Sequence, residues 1–477
     1  MLNNYINQNE IKLIKVSVVD DIGILFTWRD RLFRAIKDCA VEKVIALFDC
    51  GLISNLVDNY LFPKSWITDY KMDRYGLVIE HEKIHPLTYP YEWTFSMLKD
   101  AALTVLKVNL VTKKYGYQTK DCHSFNVVFN GLIPKYIDLG SFVKIEDGFN
   151  GWVAYEEFLR SFYYPLKIWS DGNSFVAQSI ISNESELISH LEYLLYKKFL
   201  LRYLNISLLT KLTNLYFKYR RLSSIPSSTI RKKITGVSGA FTCFLKENNL
   251  LPFQSVNFAT LIKRVKRIRK RKCNSVWSRY QDEYYTSDRK LRLTHRFDRV
   301  IALIKMYNIR SVVELGGNQG VLSKLLLRFT NLEYVVCTDY DEEVVDLMYL
   351  QSKGEMIPLF PAMLNCMFPK TSSLSELPYE RFQADVVIAL ALTHHLLLRR
   401  RLRIEFILEK ISRYTKKYIL IEFMPLGLWD GTSAPPLPEW YTVDWFRNAF
   451  KYYFDIILEE QLEENRILFF GKILNSA

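Results

Sequence analysis

From Asp288 onward the chain alternates short apolar runs with stretches of helix length, and few folds accommodate that rhythm. SVVEL (311–315), EYVVCTDY (333–340), ADVVIALAL (384–392) and KYILIEFMP (417–425) read as strands. FDRVIALIKMYNI (297–309), VLSKLLLRF (321–329), DEEVVDLMYLQ (341–351) and RRRLRIEFILEKISRY (399–414) read as helices. Strands alternating with such helices predict a parallel, doubly wound α/β sheet whose ligand sits at the carboxyl ends of the strands.

Three features fall in register at those ends. Val313-Glu314-Leu315-Gly316-Gly317-Asn318-Gln319-Gly320 joins a strand to a helix. Glycines suit a turn in which backbone lies against a ligand and adopts unusual dihedrals, and the helix behind it offers unpaired N–H groups. Asp339 ends the next strand, nineteen residues after Gly320, where an acid can accept both hydroxyls of a ribose. Leu392-Thr393-His394-His395 ends a later strand, where a reacting group would be presented. The turn reads E-x-G-G-x-x-G rather than the G-x-G-x-x-G of dinucleotide enzymes.

A chain of 477 residues exceeds one core and predicts two or three domains. With 49% apolar and 14% aromatic residues, disorder is expected only in short connectors. The formal charge of +13 is concentrated: Lys197–Tyr280 holds twenty Lys and Arg against Glu247 alone. Its densest part, Lys263–Lys272, is charged as nucleic acid or another anionic surface would require. Val265, Ile268, Leu261 and Ile262 also give it the apolar face of an ordinary helix. Seven cysteines without a CxxC pair read as reduced thiols of a cytoplasmic protein. The longest apolar stretch, Ala384–Leu398, is broken by Asp385, His394 and His395, so no transmembrane segment is expected.

The E-x-G-G-x-x-G turn resembles the first motif of class I methyltransferases. ALALTHHLLL, KYILIEFMP, YPYEWTFSMLKDAAL and GWVAYEEFLRSF are similar to a bacterial methyltransferase family that includes nodulation-type proteins, from about Tyr89 onward. The resemblance implies a Rossmann-like domain binding S-adenosylmethionine through Glu314, Gly316, Gly317, Asn318, Gly320 and Asp339, with Glu314 orienting the loop. In that family an Asp four residues before a Pro suits the adenine amine; here Asn365 stands there, before Pro369, and its amide oxygen can still accept. Methyl transfer to a hydroxyl or amine needs a base. His394 and His395, with pKa values near neutrality, and Glu422 are the candidates. The family link implies a small-molecule acceptor, a saccharide or lipid-linked saccharide.

Upstream, Asp121-Cys122-His123-Ser124-Phe125-Asn126 and Asp138-Leu139-Gly140 resemble the catalytic loop and metal motif of kinases. That resemblance implies Asp121 as proton acceptor, and Asn126 and Asp138 as ligands of Mg2+ with ATP. Asn130-Gly131 marks the hairpin between them, and Val78–Pro86 resembles a kinase hinge. Departures are plain: before that hinge there is no Gly-rich loop, and neither Arg34 nor Lys43 fits a V-A-I-K strand.

The expected organisation is a kinase-like α+β module (1–195), a basic helical connector (196–285) and a methyltransferase domain (286–477). The alternatives are a phosphotransferase with an auxiliary methyltransferase domain, and a non-catalytic binder of an anionic polymer.

Overall fold

The computed structural model describes residues 4–15, 20–149, 151–183, 187–197, 256–271, 275–284, 291–372, 375–429 and 431–474. Strands β1 (Lys12–Leu13), β2 (Gly23–Trp28), β3 (Arg31–Ile36), β4 (Ser65–Ile67) and β5 (Leu77–His81) form an antiparallel sheet in the order β1-β2-β3-β5-β4. Arg29 and Asp30, at φ 49° and 60°, make the two-residue turn between β2 and β3. Two left-handed residues match the twist of the strands they join. Helices α1 (Val41–Asp49) and α2 (Leu52–Asp58) follow β3.

Helix α3 (Phe95–Thr112) forms the spine of the next layer. Thr94 caps it by accepting from Met97 N, and Leu98, Ala102, Val105 and Leu106 are fully buried. Beyond it, β6 (Tyr117–Thr119) pairs with β9 (Phe142–Lys144), enclosing the hairpin β7 (Val127–Asn130) and β8 (Ile133–Tyr136). Gly131, at φ 60°, turns that hairpin where a side chain would be strained.

The structure divides the expected connector differently. Helix α4 (Phe258–Arg267) lays Phe258, Leu261 and Val265 into the N-terminal core against α3, because its apolar residues share one face. Residues 275–284 belong with the C-terminal half, as described below. Most of the basic stretch, 198–255, lies outside the described residues, as does Lys272.

The C-terminal sheet is Rossmann-like, with strands β10 (Ser311–Leu315), β11 (Tyr334–Asp339), β12 (Leu359–Met363), β13 (Ala384–Ala389), β14 (Thr415–Phe423), β15 (Phe454–Glu463) and β16 (Arg466–Ile473). Their order is β12-β11-β10-β13-β14-β16-β15; the first five run parallel and the β15–β16 hairpin antiparallel. Helices α5 (His295–Met306), α6 (Val321–Phe329), α7 (Glu342–Ser352), α8 (Ile404–Ser412) and α9 (Val443–Phe450) cover it. Separate apolar clusters fill the two faces, so every residue of β10 is buried. Strands of this kind read as continuous Val, Ile and Leu runs for that reason. The arginine-rich segment 399–403, expected to open a helix, instead ends a π-helical turn (His395–Arg399) at Arg399 and continues irregularly, with Arg401 left-handed at φ 56°.

The two halves share a buried seam. Arg381 and Glu92 form a bidentate ion pair, their side chains 1% and 2% exposed. Asp346 accepts from both Ser96 N and Ser96 Oγ, at 2.9 Å each. Tyr349 enters the N-terminal core, its hydroxyl donating to Asp100 at 2.7 Å.

Candidate cofactor and acceptor site

Strand β10 ends at Leu315, and the chain turns through Gly316 at φ 73° into α6, with Gly320 at φ 70°. The turn is tightly packed: a Cβ on Gly317 would lie 2.4 Å from Cys337 Sγ and 2.9 Å from Glu314 Cδ. Glu314 points inward beneath it, accepting from Ser323 Oγ and Cys337 Sγ. Burial pushes its carboxyl up to about 7 against those bonds.

Asp339, at the end of β11, is half-buried and held from both sides. Asn318 N donates to its Oδ2 and Asp341 N to its Oδ1, each at 2.9 Å. A carboxylate offers about four lone-pair sites, so these two bonds leave capacity for a further donor. Burial raises the carboxyl to about 6, against the amide bonds from Asp341 and Asn318. Asn318 is committed elsewhere through its side chain, donating to Trp277 O at 3.1 Å.

Asn365 differs from the expectation. Its Oδ1 accepts from Met367 N at 3.2 Å and Phe368 N at 3.1 Å, which uses both lone pairs. What its side chain still offers is the amide N–H pair, a donor rather than the expected acceptor.

Glu422 also departs from its expected role as a base. It is fully buried, accepting from Arg296 at 2.6 and 2.8 Å, Arg466 at 3.1 Å and Ala391 N at 2.8 Å. Burial alone would raise its pKa, but the two guanidiniums outweigh it and hold it below the ordinary value. A carboxylate clamped in its charged form does not take a proton at neutral pH.

His394 and His395 stand side by side after β13, ring centroids 4.0 Å apart, and the Nδ1 atom of each is buried without a partner. Burial, helped by His395 and Arg466, lowers His394 to about 3; burial and Arg399 lower His395. Below the expected near-neutral values, both rings are neutral at pH 7, the form that accepts a proton.

The sequence reading missed the cover of this site. Gln281 donates to Gly317 O at 3.3 Å and its Oε1 accepts from Gln319 N at 3.1 Å. It thereby serves an amide at the start of α6. Gln319 Nε2 returns a bond to Ser278 O at 2.9 Å, and the Trp277 ring stands edge-on to His395 at 5.0 Å. The signal was the aromatic cluster Trp277, Tyr280 and Tyr284 just before the expected boundary, but no periodicity tied it to the turn.

Upstream, Asp121, Asn126 and Asp138 lie near one another. Ile137 N donates to Asn126 O at 2.9 Å, which brings Asn126 beside Asp138, and Asp121 is near enough to raise the Asp138 carboxyl electrostatically. Burial first, and then Asp121 and Asp20, push Asp138 to about 6 in spite of Arg34. Arg34 pairs with Asp20 at 2.8 Å, and Lys43 Nζ donates to Gly140 O at 3.2 Å. Asn126 Nδ2 is buried without a partner. Among the described residues no group of three His, Cys, Asp or Glu is placed to hold a metal ion. On α4, Lys263, Arg264, Lys266 and Arg267 face solvent, whereas Lys270 is bound by Glu342 and Glu343.

No protein-family model matches the chain. Over 443 residues, 85% of this chain and 83% of the relative, it is 25% identical to nodulation protein NoeA of Rhizobium meliloti strain 1021. The chain is a NoeA homologue. The similarity to NoeA is longer than the C-terminal sheet and its helices, so it reaches into the N-terminal half. Similar solved structures include an S-adenosylmethionine-dependent methyltransferase of Clostridium acetobutylicum ATCC 824, at 9% identity and TM-score 0.30, covering 38% of this chain and 92% of that one. Another is magnesium protoporphyrin IX methyltransferase of Synechocystis PCC 6803 with bound SAM, at 12% identity and TM-score 0.29, covering 43% and 100%. Among the described residues no helix is long and apolar enough to cross a membrane.

Proposed function

We propose that this NoeA homologue is an S-adenosylmethionine-dependent methyltransferase acting on a hydroxyl or amine. The observation that carries the reading is Asp339, clamped by the backbone amides of Asn318 and Asp341 at the end of its strand, beside the left-handed Gly316 turn. The residues fit the cofactor: bare backbone at Gly316, Gly317 and Gly320, a ribose acceptor, and an Asn365 amide at the neighbouring strand end. When bound, the cofactor supplies a methyl group on a sulfonium, a good leaving group. The chain's own residues then align the acceptor, exclude water and remove a proton. Neutral His395, with Nδ1 unpartnered and Trp277 against its ring, is the proton acceptor in this reading; the His394 ring packs against it. The test is calorimetric titration of S-adenosylhomocysteine into the wild type and Asp339→Ala. Micromolar binding lost in the variant supports the proposal, and no binding by folded wild type overturns it.

The N-terminal half reads as a kinase-like scaffold. In support are the five-stranded sheet, the spine helix α3, and the β6–β9 and β7–β8 pairings around Asp121, Asn126 and Asp138. Phosphotransfer is not part of the reading: Arg34 on β3 is engaged by Asp20, and the β1–β2 connection reads IKVSVVDDI without a glycine. The described cysteines are all free thiols, which suits a reducing cytoplasm.

A further inference from the structure

A groove of about 600 Å³ opens beside the turn that follows β13. Leu397 and Leu398 of the π-helical turn form one wall; Leu428, Leu437, Trp440 and Trp445, following β14, form the other. Its size and apolar lining are those of small-molecule sites. Leu437 and Leu398 close over bare backbone at Gly427, where a Cβ would lie 2.5 and 2.8 Å from their methyl groups. Even so, Leu437 stays 36% and Trp440 46% exposed, a large apolar surface left to solvent.

The rim has the opposite character. Arg401 and Arg403 line the groove, and Arg399 and Arg400 adjoin it. All four are exposed and none is engaged in an ion pair among the described residues. Glu405 is the acid on that wall. Arg401 is held left-handed at φ 56°, a conformation disfavoured for a side chain that bulky. The turn that supplies Leu397 and Leu398 begins at His395, so the groove starts one helical turn from the proposed proton acceptor. Both lie beyond the carboxyl ends of β13 and β14, where a sheet of this kind receives its ligands.

We infer that this groove binds the apolar chain of an anionic amphiphile, with its phosphate or carboxylate head on Arg401 and Arg403. A neutral apolar ligand would leave the guanidiniums unused, and a purely ionic one would leave Leu437 and Trp440 wet. Arginine forks match phosphate and carboxylate oxygens, while chain burial supplies affinity. The amphiphile's role as methyl acceptor rests on the methyltransferase reading; its binding does not.

The experiment titrates dodecyl phosphate, below its micelle threshold, into the full chain by calorimetry, with dodecyl maltoside and inorganic phosphate as controls. Saturable binding of dodecyl phosphate, and of neither control at the same concentration, is expected. Arg401→Gln with Arg403→Gln should weaken it about tenfold or more. Leu437→Asp, at a partly exposed position, should abolish it, and S-adenosylhomocysteine affinity should be unchanged in both variants. Flotation with phosphatidylglycerol vesicles, lost in the arginine variant, identifies a membrane lipid as the source; dodecyl phosphate binding without flotation identifies a dispersed amphiphile. No dodecyl phosphate binding by protein that binds S-adenosylhomocysteine overturns the inference, as does binding the arginine variant retains. Dodecyl phosphate binding that obeys both variants, without S-adenosylhomocysteine binding, supports the groove and removes the methyltransferase reading.

Discussion

Arg296 on α5 reaches Glu422 at the end of β14 with Nε at 2.6 Å and Nη2 at 2.8 Å, a two-pronged ion pair inside the sheet–helix layer. The carboxylate is fully buried, and Arg466 adds a second guanidinium at 3.1 Å. Glu422→Gln leaves the buried Arg296 without its counter-charge, while Arg466 keeps Glu463, and should cost about 3–5 kcal/mol of stability in denaturant titration. Because the folded pKa is depressed, this stabilisation is present above the ordinary value of 4.5 and is lost as pH falls through the folded value. A variant with full stability but slow methyl transfer would make Glu422 the base after all.

Asp339 titrates in a different window. Its carboxyl is raised to about 6, and ribose hydroxyls need the ionised form. S-adenosylhomocysteine affinity should be flat above that value and fall about tenfold per pH unit below it. Asp339→Asn should bind weakly and without that dependence; a wild-type profile flat to pH 4.5 would contradict the assignment.

Gly317 is the tightest point of the turn. A methyl group there meets Cys337 Sγ at 2.4 Å and Glu314 at 2.9 Å, neither a free-swinging chain end. Gly317→Ala should displace the turn and lower cofactor affinity by roughly a hundredfold, since small misplacements are costly at such sites. Retained affinity in calorimetry would mean the turn does not contact the ligand.

The histidine pair allows a sharper test once an acceptor is in hand. His395→Ala should lower kcat by about 10²-fold or more with little change in cofactor binding. The acidic limb of kcat should fall below 6.5, since burial lowers both rings. A limb at 6.5 or above would assign proton removal to another group.

The seam between the halves has its own signature. Arg381 also donates to Leu87 O, so Arg381→Met strands Glu92 and opens two connections at once. It should cost about 3–5 kcal/mol and separate the unfolding of the two halves in calorimetry. One unchanged cooperative transition would place the coupling elsewhere.

Much of the parallel sheet was legible because its signals are local. VLSKLLLRF is the helix α6 to the residue, and EYVVCTDY holds β11 with Asp339 at its end. β12 was missed: LFPAM carries a proline, and five residues give little pattern. The β15–β16 hairpin was missed too, since its mixed strand FDIILEEQLE is half exposed. In the site, glycine spacing and the acid nineteen residues on were readable, because backbone conformation and strand length dictate them.

What the sequence determined alone was the succession of elements and the residues at strand ends, since helix and strand periods are written in neighbouring positions. Only the tertiary structure decided what those residues do. Glu422 reads as a reactive acid until Arg296, 126 residues away, neutralises it. Asn365 reads as an acceptor until Met367 and Phe368 take its oxygen. Gln281 and Trp277 read as linker until they fold over the turn. Charge state, burial and hydrogen-bond partners depend on groups brought together from distant positions, and no local pattern encodes which ones meet.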